Sequence, residues 1–150
     1  MTPFLFLGGT VGNSNWRGAF TQRLIAAGVS ADRIYNPAVP DWTPAFQAAE
    51  DAAKREAEFN LFYLCATGQA ENPLPAYSLV EAVMHLYDQT EKTIVVFDLQ
   101  GLDGHLLKAL QKSEKDLRAR FPQGHIYRSA DEALAFLSNK TVQSSASGGM

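Results

Sequence analysis

Five short apolar runs alternate along the chain with segments in which apolar positions recur at helical spacing. The runs occupy residues 4–7, 33–35, 59–66, 93–98 and 125–127. The first, third and fourth runs are apolar at nearly every position. Such continuous runs are typical of strands that are covered on both faces, as in a parallel sheet. The pattern therefore predicts five strands in one parallel sheet.

Helical patterns separate these strands. They cover residues 15–27, 43–57, 78–89, 102–120 and 130–137. The second begins with Thr43 as a cap residue and Pro44 at the first helical position. Because strand and helix alternate five times, we expect an α/β, flavodoxin-like fold with a doubly wound five-stranded parallel sheet of order 2-1-3-4-5. We expect one domain over residues 1–138, and the small polar residues 139–150 predict a flexible tail.

Composition narrows the classes of function. The 150 residues are 46% hydrophobic and 19% charged, with a formal net charge of -3. These values fit a globular protein and predict no surface for a nucleic acid polymer. No apolar run is long enough to cross a bilayer, and the first residues lack the features of a signal peptide, so we expect a cytoplasmic protein without membrane contact.

Cysteine and histidine usage gives no sign of metal or redox chemistry. The single cysteine, Cys65, lies in an apolar run, which favours a small buried hydrophobe over a catalytic thiol. The three histidines, His85, His105 and His125, have no ligand-like spacing. We therefore predict no metal site and no cofactor.

The segment that ends in Glu81 carries the strongest candidate chemistry. It follows a loop, residues 68–75, that would lie at the carboxyl edge of a parallel sheet, where ligands bind. A carboxylate there can attack a sugar carbon or act as a general base. Ser78 and Glu81 also fit a capping box, in which the serine caps the helix and the glutamate reaches back to its amide. Ser129 and Glu132 repeat this spacing, and we expect that second box to be purely structural.

The loop after the first strand supplies further candidate ligand contacts. Gly8, Gly9 and Thr10 begin a glycine-rich turn in which the backbone can approach a ligand, although the turn is neither a dinucleotide-binding nor a Walker A motif. Trp16 contacts the ligand or packs in the core. Arg17 lies in the first helical turn, where the helix dipole disfavours a cation. The partner of Arg17 is then an anionic ligand or a nearby carboxylate. Alternatively, Arg17 is an ordinary surface arginine.

The loop after the second strand contains two prolines that stiffen it. Asn36 and Asp41 offer acceptors for sugar hydroxyls or a base edge, and Trp42 could stack on a base. Alternatively, Asp41 caps the second helix and Trp42 packs against the protein. Because parallel order brings the ends of the first three strands side by side, we expect these loops and Ser78 to surround one pocket with Glu81.

Three segments together resemble the nucleoside 2-deoxyribosyltransferase-like family. They are Phe6-Leu-Gly-Gly-Thr10 with Asn15-Trp-Arg17, Asn36-Pro-Ala-Val-Pro-Asp-Trp42, and Tyr77-Ser-Leu-Val-Glu81. The resemblance implies a flavodoxin-like enzyme that cleaves the N-glycosidic bond of a nucleoside or nucleotide. It implies that Glu81 is the nucleophile and forms a ribosyl ester, which a second base or water resolves. It also implies a homo-oligomer, either a dimer or a dimer-based assembly.

One departure from this family and two other classes of function stay open. Characterised transferases place an Asp shortly before the nucleophile to handle the base proton, and residues 71–77 contain none. A hydrolase with water as acceptor is therefore an alternative. An FMN-binding, flavodoxin-like protein is another, because residues 10–14 weakly resemble a phosphate loop. A non-catalytic nucleotide sensor is the third, whereas a receiver module is disfavoured because residues 7–9 include no acidic side chain.

Overall fold

The computed structural model describes residues 2–9, 16–37, 43–71, 73 and 75–148. The strands are β1 (Leu5–Gly9), β2 (Ile34–Tyr35), β3 (Phe59–Leu64), β4 (Thr93–Phe97) and β5 (His125–Tyr127). The helices are α1 (Trp16–Ala26), α2 (Pro44–Glu56), α3 (Ala76–Asp88), α4 (Gly104–Arg120) and α5 (Ala130–Gly148). Short 3-10 turns, Ala31–Arg33 and Thr90–Lys92, lead into β2 and β4.

The five strands form one all-parallel sheet in the order β2-β1-β3-β4-β5. Leu5 pairs with Ile34 on one side and with Phe59 on the other, and Gly9 pairs with Tyr63 at the carboxyl end of β1. This order confirms the predicted α/β, flavodoxin-like fold. The order in which the chain adds strands to the sheet reverses between β1 and β3, which is where ligands bind in such folds.

The apolar strands are buried because each face of the sheet is covered by helices. On one face, α1 and α5 pack over a cluster that includes Leu7 and Tyr63. On the other face, α3 and α4 pack over a cluster around Phe62 and Val95. There α2 also covers Phe6 with Ala53 and Ala57. Successive side chains point to opposite faces, so the central strands are apolar at nearly every position.

Three helix ends differ from the predicted ones by two residues or more. α3 begins at Ala76 and not at Ser78, and α4 begins at Gly104 and not at Leu102. α5 continues to Gly148 and so takes in residues that the sequence assigned to a tail. Between Leu137 and Gly148 the chain has neither Pro nor Gly, so no residue in that segment terminates the helix. In the described part of the chain, no helix has both the length and the apolar character needed to span a membrane.

Candidate functional site

A cavity of about 370 Å³ opens at the carboxyl ends of β1 and β2, on the face covered by α2 and α3. Its volume lies in the range of small-molecule pockets. The lining comes from β1, the chain after β2, the three helices α1, α2 and α3, and the residue directly before α3: Phe6, Gly8, Gly9, Arg17, Pro37, Glu50, Lys54, Pro75, Ala76, Tyr77, Ser78 and Glu81. The cavity therefore lies at the predicted edge of the sheet, beside the reversal of strand order.

Gly8 and Gly9 form one wall of this cavity without side chains. Gly9 has a φ of +114°, and a Cβ at this position would overlap the backbone of Tyr63. A Cβ at Gly8 would meet the ring of Phe62 at 3.0 Å. The absence of side chains here brings backbone to the cavity surface, as predicted for close approach of a ligand.

Glu81 lies on the second turn of α3 and is held by α2. Lys54 Nζ donates a hydrogen bond to Glu81 Oε2 at 2.9 Å, and each side chain is only 16% exposed. The same Nζ lies 3.7 Å from Glu50 Oε1. One ammonium group thus lies between two carboxylates, and all three side chains line the cavity.

Lys54 keeps its proton in this setting. Burial lowers the pKa of Lys54, but the hydrogen bond and charge of Glu81, together with the charges of Glu50 and Asp51, outweigh this, so the pKa is raised. Its Nζ also lies 5.4 Å from the centre of the Phe6 ring, which favours the charged form. Lys54 is therefore positively charged beside Glu81 and does not act as a general acid.

The capping-box interpretation of Ser78 is wrong. The backbone N–H of Leu79 donates to the carbonyl of Pro75 at 3.1 Å, so the helix has already begun before Ser78. The N-cap is Pro75, which makes no side-chain capping bond. Ser78 instead sits inside the first turn, where its side chain lines the cavity. Glu81 does not complete a box either, because its carboxylate is bonded to Lys54.

The second serine–glutamate segment does cap its helix, although Glu132 reaches back to the amide of Arg128 and not to that of Ser129. The N–H of Glu132 donates to Ser129 Oγ at 3.3 Å, and the Ser129 hydroxyl donates to Glu132 Oε1 at 3.3 Å. Glu132 Oε1 also accepts a bond from the Arg128 amide at 3.3 Å. Two segments with the same serine–glutamate spacing therefore differ, since Glu132 is part of a helix cap and Glu81 faces a cavity.

The Arg17 guanidinium lies 4.7 Å from the centre of the Trp16 ring, but of these two neighbours only Arg17 lines the cavity. Arg17 lines the cavity, and its guanidinium donates to the carbonyl of Gly9 at 3.3 Å. Burial lowers the pKa of Arg17, although the nearby charges of Cys65 and Glu50 act in the other direction. Trp16, the first residue of α1, is buried in the core, where its ring stacks on that of Tyr63 with 4.6 Å between the ring centres. Trp16 is not among the residues that line the cavity.

The remaining predicted ligand contacts have mixed positions. Asn36 is exposed and is not part of the lining, although the adjacent Pro37 is. Thr10, Asp41 and Trp42 lie outside the described residues. The same holds for the whole segment with weak similarity to a flavin phosphate loop, residues 10–14. Of the ten predicted site residues, those that the structure brings to the cavity are Gly8, Gly9, Arg17, Ser78 and Glu81.

A buried amide ties together the two helices that hold the ion pair. Asn60 on β3 is fully buried, and its Nδ2 donates to the Lys54 carbonyl and to Gln89 Oε1, each at 3.1 Å. The same Nδ2 lies 3.5 Å from His85 Nδ1. Burial lowers the pKa of His85, and the charge of Lys54 adds to this effect against that of Glu81. Asn60 thereby fixes α2 and α3 relative to each other below the cavity.

Sequence reasoning missed Glu50 and Lys54. They are four residues apart on α2, and such a pair normally lies on a solvated helix face. The available signal was the small size of Ala53 and Ala57, the residues through which α2 packs over Phe6. Glu50 and Lys54 lie beside these alanines, so their long side chains can reach the edge of the sheet. Cys65 is half-buried against the core, and the described residues include no cluster of three or more possible metal ligands.

Comparison of the chain with protein-family models gives no match, and comparison with curated proteins gives none either.

Proposed function

We propose that this protein cleaves the N-glycosidic bond of a (deoxy)nucleoside or nucleotide, with Glu81 as the nucleophile. The sugar then passes to another base or to water, so the enzyme is a nucleoside 2-deoxyribosyltransferase or a nucleoside or nucleotide N-glycosidase. The observation that carries this proposal is a carboxylate, held by Lys54 at 2.9 Å, on the wall of a cavity at the ligand edge of the sheet. The cytoplasm is the compartment that we predict for this reaction.

The chemistry follows from the position of the ion pair. Lys54 binds Oε2 of Glu81, so we assign the attack on the anomeric carbon to Oε1. The carboxylate stabilises the positive charge that develops on the sugar and then forms the ester, which divides one difficult step into two easier ones. Because the pKa of Lys54 is raised, Lys54 stays charged, and its hydrogen bond fixes the orientation of the Glu81 carboxylate.

The lining suits the rest of a nucleoside. The backbone at Gly8 and Gly9 offers hydrogen-bonding groups to sugar hydroxyls, and Tyr77 offers an aromatic face to the base. Ser78, the first turn of α3 and Arg17 line the same cavity, and this combination suits a 5'-phosphate. All three segments that resemble the nucleoside 2-deoxyribosyltransferase-like family contribute side chains or backbone to this single cavity. This convergence supports the proposal independently of the position of Glu81.

Incubation with a panel of nucleosides and their 5'-monophosphates, followed by chromatography for the free base, tests this function. Glu81→Gln should abolish release, and acid-quenched protein should carry a sugar ester on the peptide that contains Glu81. Glu132→Gln is the matched control and should retain full activity, because Glu132 belongs to a helix cap. An unchanged rate in Glu81→Gln would remove it as the nucleophile. Binding of a nucleotide without any turnover would favour the sensor.

We also propose that the protein is a homodimer and that α3 forms the interface. α3 carries four large apolar side chains that are between 48% and 71% exposed: Tyr77, Val80, Met84 and Tyr87. Monomeric proteins seldom leave such a contiguous apolar surface open to water. We refer to these four residues as the α3 stripe.

A second copy of the chain is the partner that fits the α3 stripe. Its spacing of three, four and three residues reads the same in both directions, with tyrosine at each end. Two copies packed antiparallel about a twofold axis would therefore place Tyr77 on Tyr87 of the other copy and Val80 on Met84. Self-complementarity of this kind is what an isologous interface requires. Because Tyr77 also lines the cavity, the second copy would cover its mouth.

A further inference from the structure

We infer that Glu50 is the general acid and base of the reaction proposed above, and this inference rests on that proposed function. Glu50 lies on α2, across the cavity from α3, and lines the same cavity as Glu81. Lys54 Nζ lies 3.7 Å from Glu50 Oε1 and 2.9 Å from Glu81 Oε2. These two oxygens are therefore within about 7 Å of each other, which is compatible with the spacing of the paired carboxylates in glycoside hydrolysis.

The other charged groups of the cavity cannot fill this role. The described residues of the lining include two cations, Arg17 and Lys54, and two carboxylates, Glu50 and Glu81. Arginine does not give up its proton in proteins. Lys54 retains its proton, since its interactions with the carboxylates raise its pKa despite burial. With Glu81 assigned to attack, Glu50 is the carboxyl group that remains to transfer a proton.

Charged or titratable groups from four elements surround Glu50. Lys54 on α2 is its ion-pair partner, and Arg17 on α1 is a second nearby cation. Tyr35 on β2 is close enough that, after burial, the charge of Glu50 is the second cause of its raised pKa. Glu81 on α3 shares Lys54 with it. The side chain of Glu50 is 25% exposed, so it can exchange a proton with water between turnovers.

The proton and the electron pairs balance over two steps. In the first, a Glu81 oxygen bonds to the anomeric carbon, the C–N bond breaks, and its electron pair goes to the base nitrogen, which takes the proton of the Glu50 carboxyl group. In the second, the Glu50 carboxylate takes a proton from water or an incoming base. The new bond to the anomeric carbon then forms while the ester bond breaks, and its electron pair returns to Glu81.

Lys54 couples these two steps. Before attack, the Glu81 carboxylate carries a negative charge and binds Lys54. Once Glu81 is esterified, that charge is gone, and Lys54 is left beside a Glu50 carboxylate. The ammonium group can then move from one carboxylate to the other without a change in the net charge of the cavity. Residues 71–77 contain no Asp to handle the proton of the base, and Glu50 on α2 takes that role instead.

The test compares leaving groups that differ in their need for a proton. Glu50→Gln should lower kcat/KM for a purine nucleoside by about 100-fold or more. It should lower ester formation from a 4-nitrophenyl riboside far less, because 4-nitrophenolate leaves without protonation. Added azide, which needs no base to activate it, should restore the second step and yield the glycosyl azide. Glu56→Gln, an exposed carboxylate on the same helix, is the control and should change neither rate.

The outcomes separate this inference from the function on which it rests. If the unsubstituted protein cleaves purine nucleosides and Glu81→Gln does not, but Glu50→Gln keeps its rate, then Glu50 is not the acid and base while the function stands. An equal loss with both leaving groups, in a variant whose thermal unfolding is unchanged, also overturns the assignment. If the unsubstituted protein turns over no nucleoside, nucleotide or riboside, both the inference and the function fail.

Discussion

Lys54 and Glu81 come from different helices, and their charged groups meet at 2.9 Å with only 16% of either side chain exposed. Removal of the ammonium group would leave a carboxylate that is largely shielded from water and has lost a charged donor. We therefore expect Lys54→Met, which retains the aliphatic part of the side chain near Phe6, to lower the free energy of unfolding by about 1–3 kcal/mol. Urea unfolding measures this loss.

A double-mutant cycle isolates the pair itself. Glu81→Gln in the Lys54→Met background should cost less than it costs alone, because the charge left without a partner is then absent. Lys108→Met removes an exposed lysine on α4 and should leave stability almost unchanged. Strictly additive effects of the two substitutions would show that the contact contributes nothing to stability.

Gly9 should tolerate no side chain. An added Cβ would overlap the backbone of Tyr63 on the neighbouring strand, and the φ of +114° is unfavourable for other residues. Gly28 is a matched control, since its φ is +104° but a Cβ there would meet nothing within 4 Å. Gly28→Ala should cost about 1–3 kcal/mol from backbone strain alone. Gly9→Ala should cost clearly more in thermal unfolding, and equal losses would show that the β1–β3 contact is not tight.

The two serine–glutamate segments separate stability from ligand binding. Ser129→Ala removes a helix cap and should lower stability by about 1 kcal/mol. Ser78→Ala removes no cap, because α3 begins at Ala76, so its stability should change little. The same substitution should weaken the binding of a nucleoside or nucleotide, since Ser78 lines the cavity. Calorimetry of unfolding and of ligand binding gives both quantities, and a loss of stability without a loss of affinity would contradict this division.

The sheet was predictable because strands that are buried on both faces are apolar at nearly every position. Residues 59–64 are apolar almost without interruption, since alternate side chains enter the clusters on opposite faces. Asn60 is the exception, and it is buried because its amide binds three groups of α2 and α3. Helix starts were less predictable. Two prolines precede α3, and the chain enters the helix directly after Pro75, which the spacing of Ser78 and Glu81 does not indicate.

The site was predictable only where sequence order and sheet order coincide. Gly9 ends β1 and Glu81 lies early in the helix that follows the neighbouring β3, so parallel topology alone brings them to one cavity. Glu50 and Lys54 lie in the middle and the last turn of α2, and they reach the cavity beside the alanines that pack on Phe6. Their spacing is the same as that of a solvated ion pair. Only the packing of α2 against Phe6 distinguishes this pair, which faces the cavity, from a solvated one.

The α3 stripe should control self-association. Met84→Lys places a charge near its centre, next to the proposed twofold axis, where the antiparallel contact with a second copy would bury it. We expect the unsubstituted protein to sediment as a dimer at micromolar concentration and Met84→Lys to sediment as a monomer. Ile25→Lys is the control, because Ile25 on α1 is 42% exposed but lies outside the stripe. It should leave the dimer intact.

The stripe and the cavity share Tyr77, so association should also affect binding. In the antiparallel arrangement, Tyr87 of the second copy would cover Tyr77 and with it the mouth of the cavity. Met84 itself does not line the cavity, so a weaker affinity for nucleoside in Met84→Lys would arise through loss of the second copy. We expect affinity to rise with protein concentration in this variant as dimers re-form. A monomeric unsubstituted protein, or a Met84→Lys monomer with undiminished affinity, would refute the link between the stripe and the site.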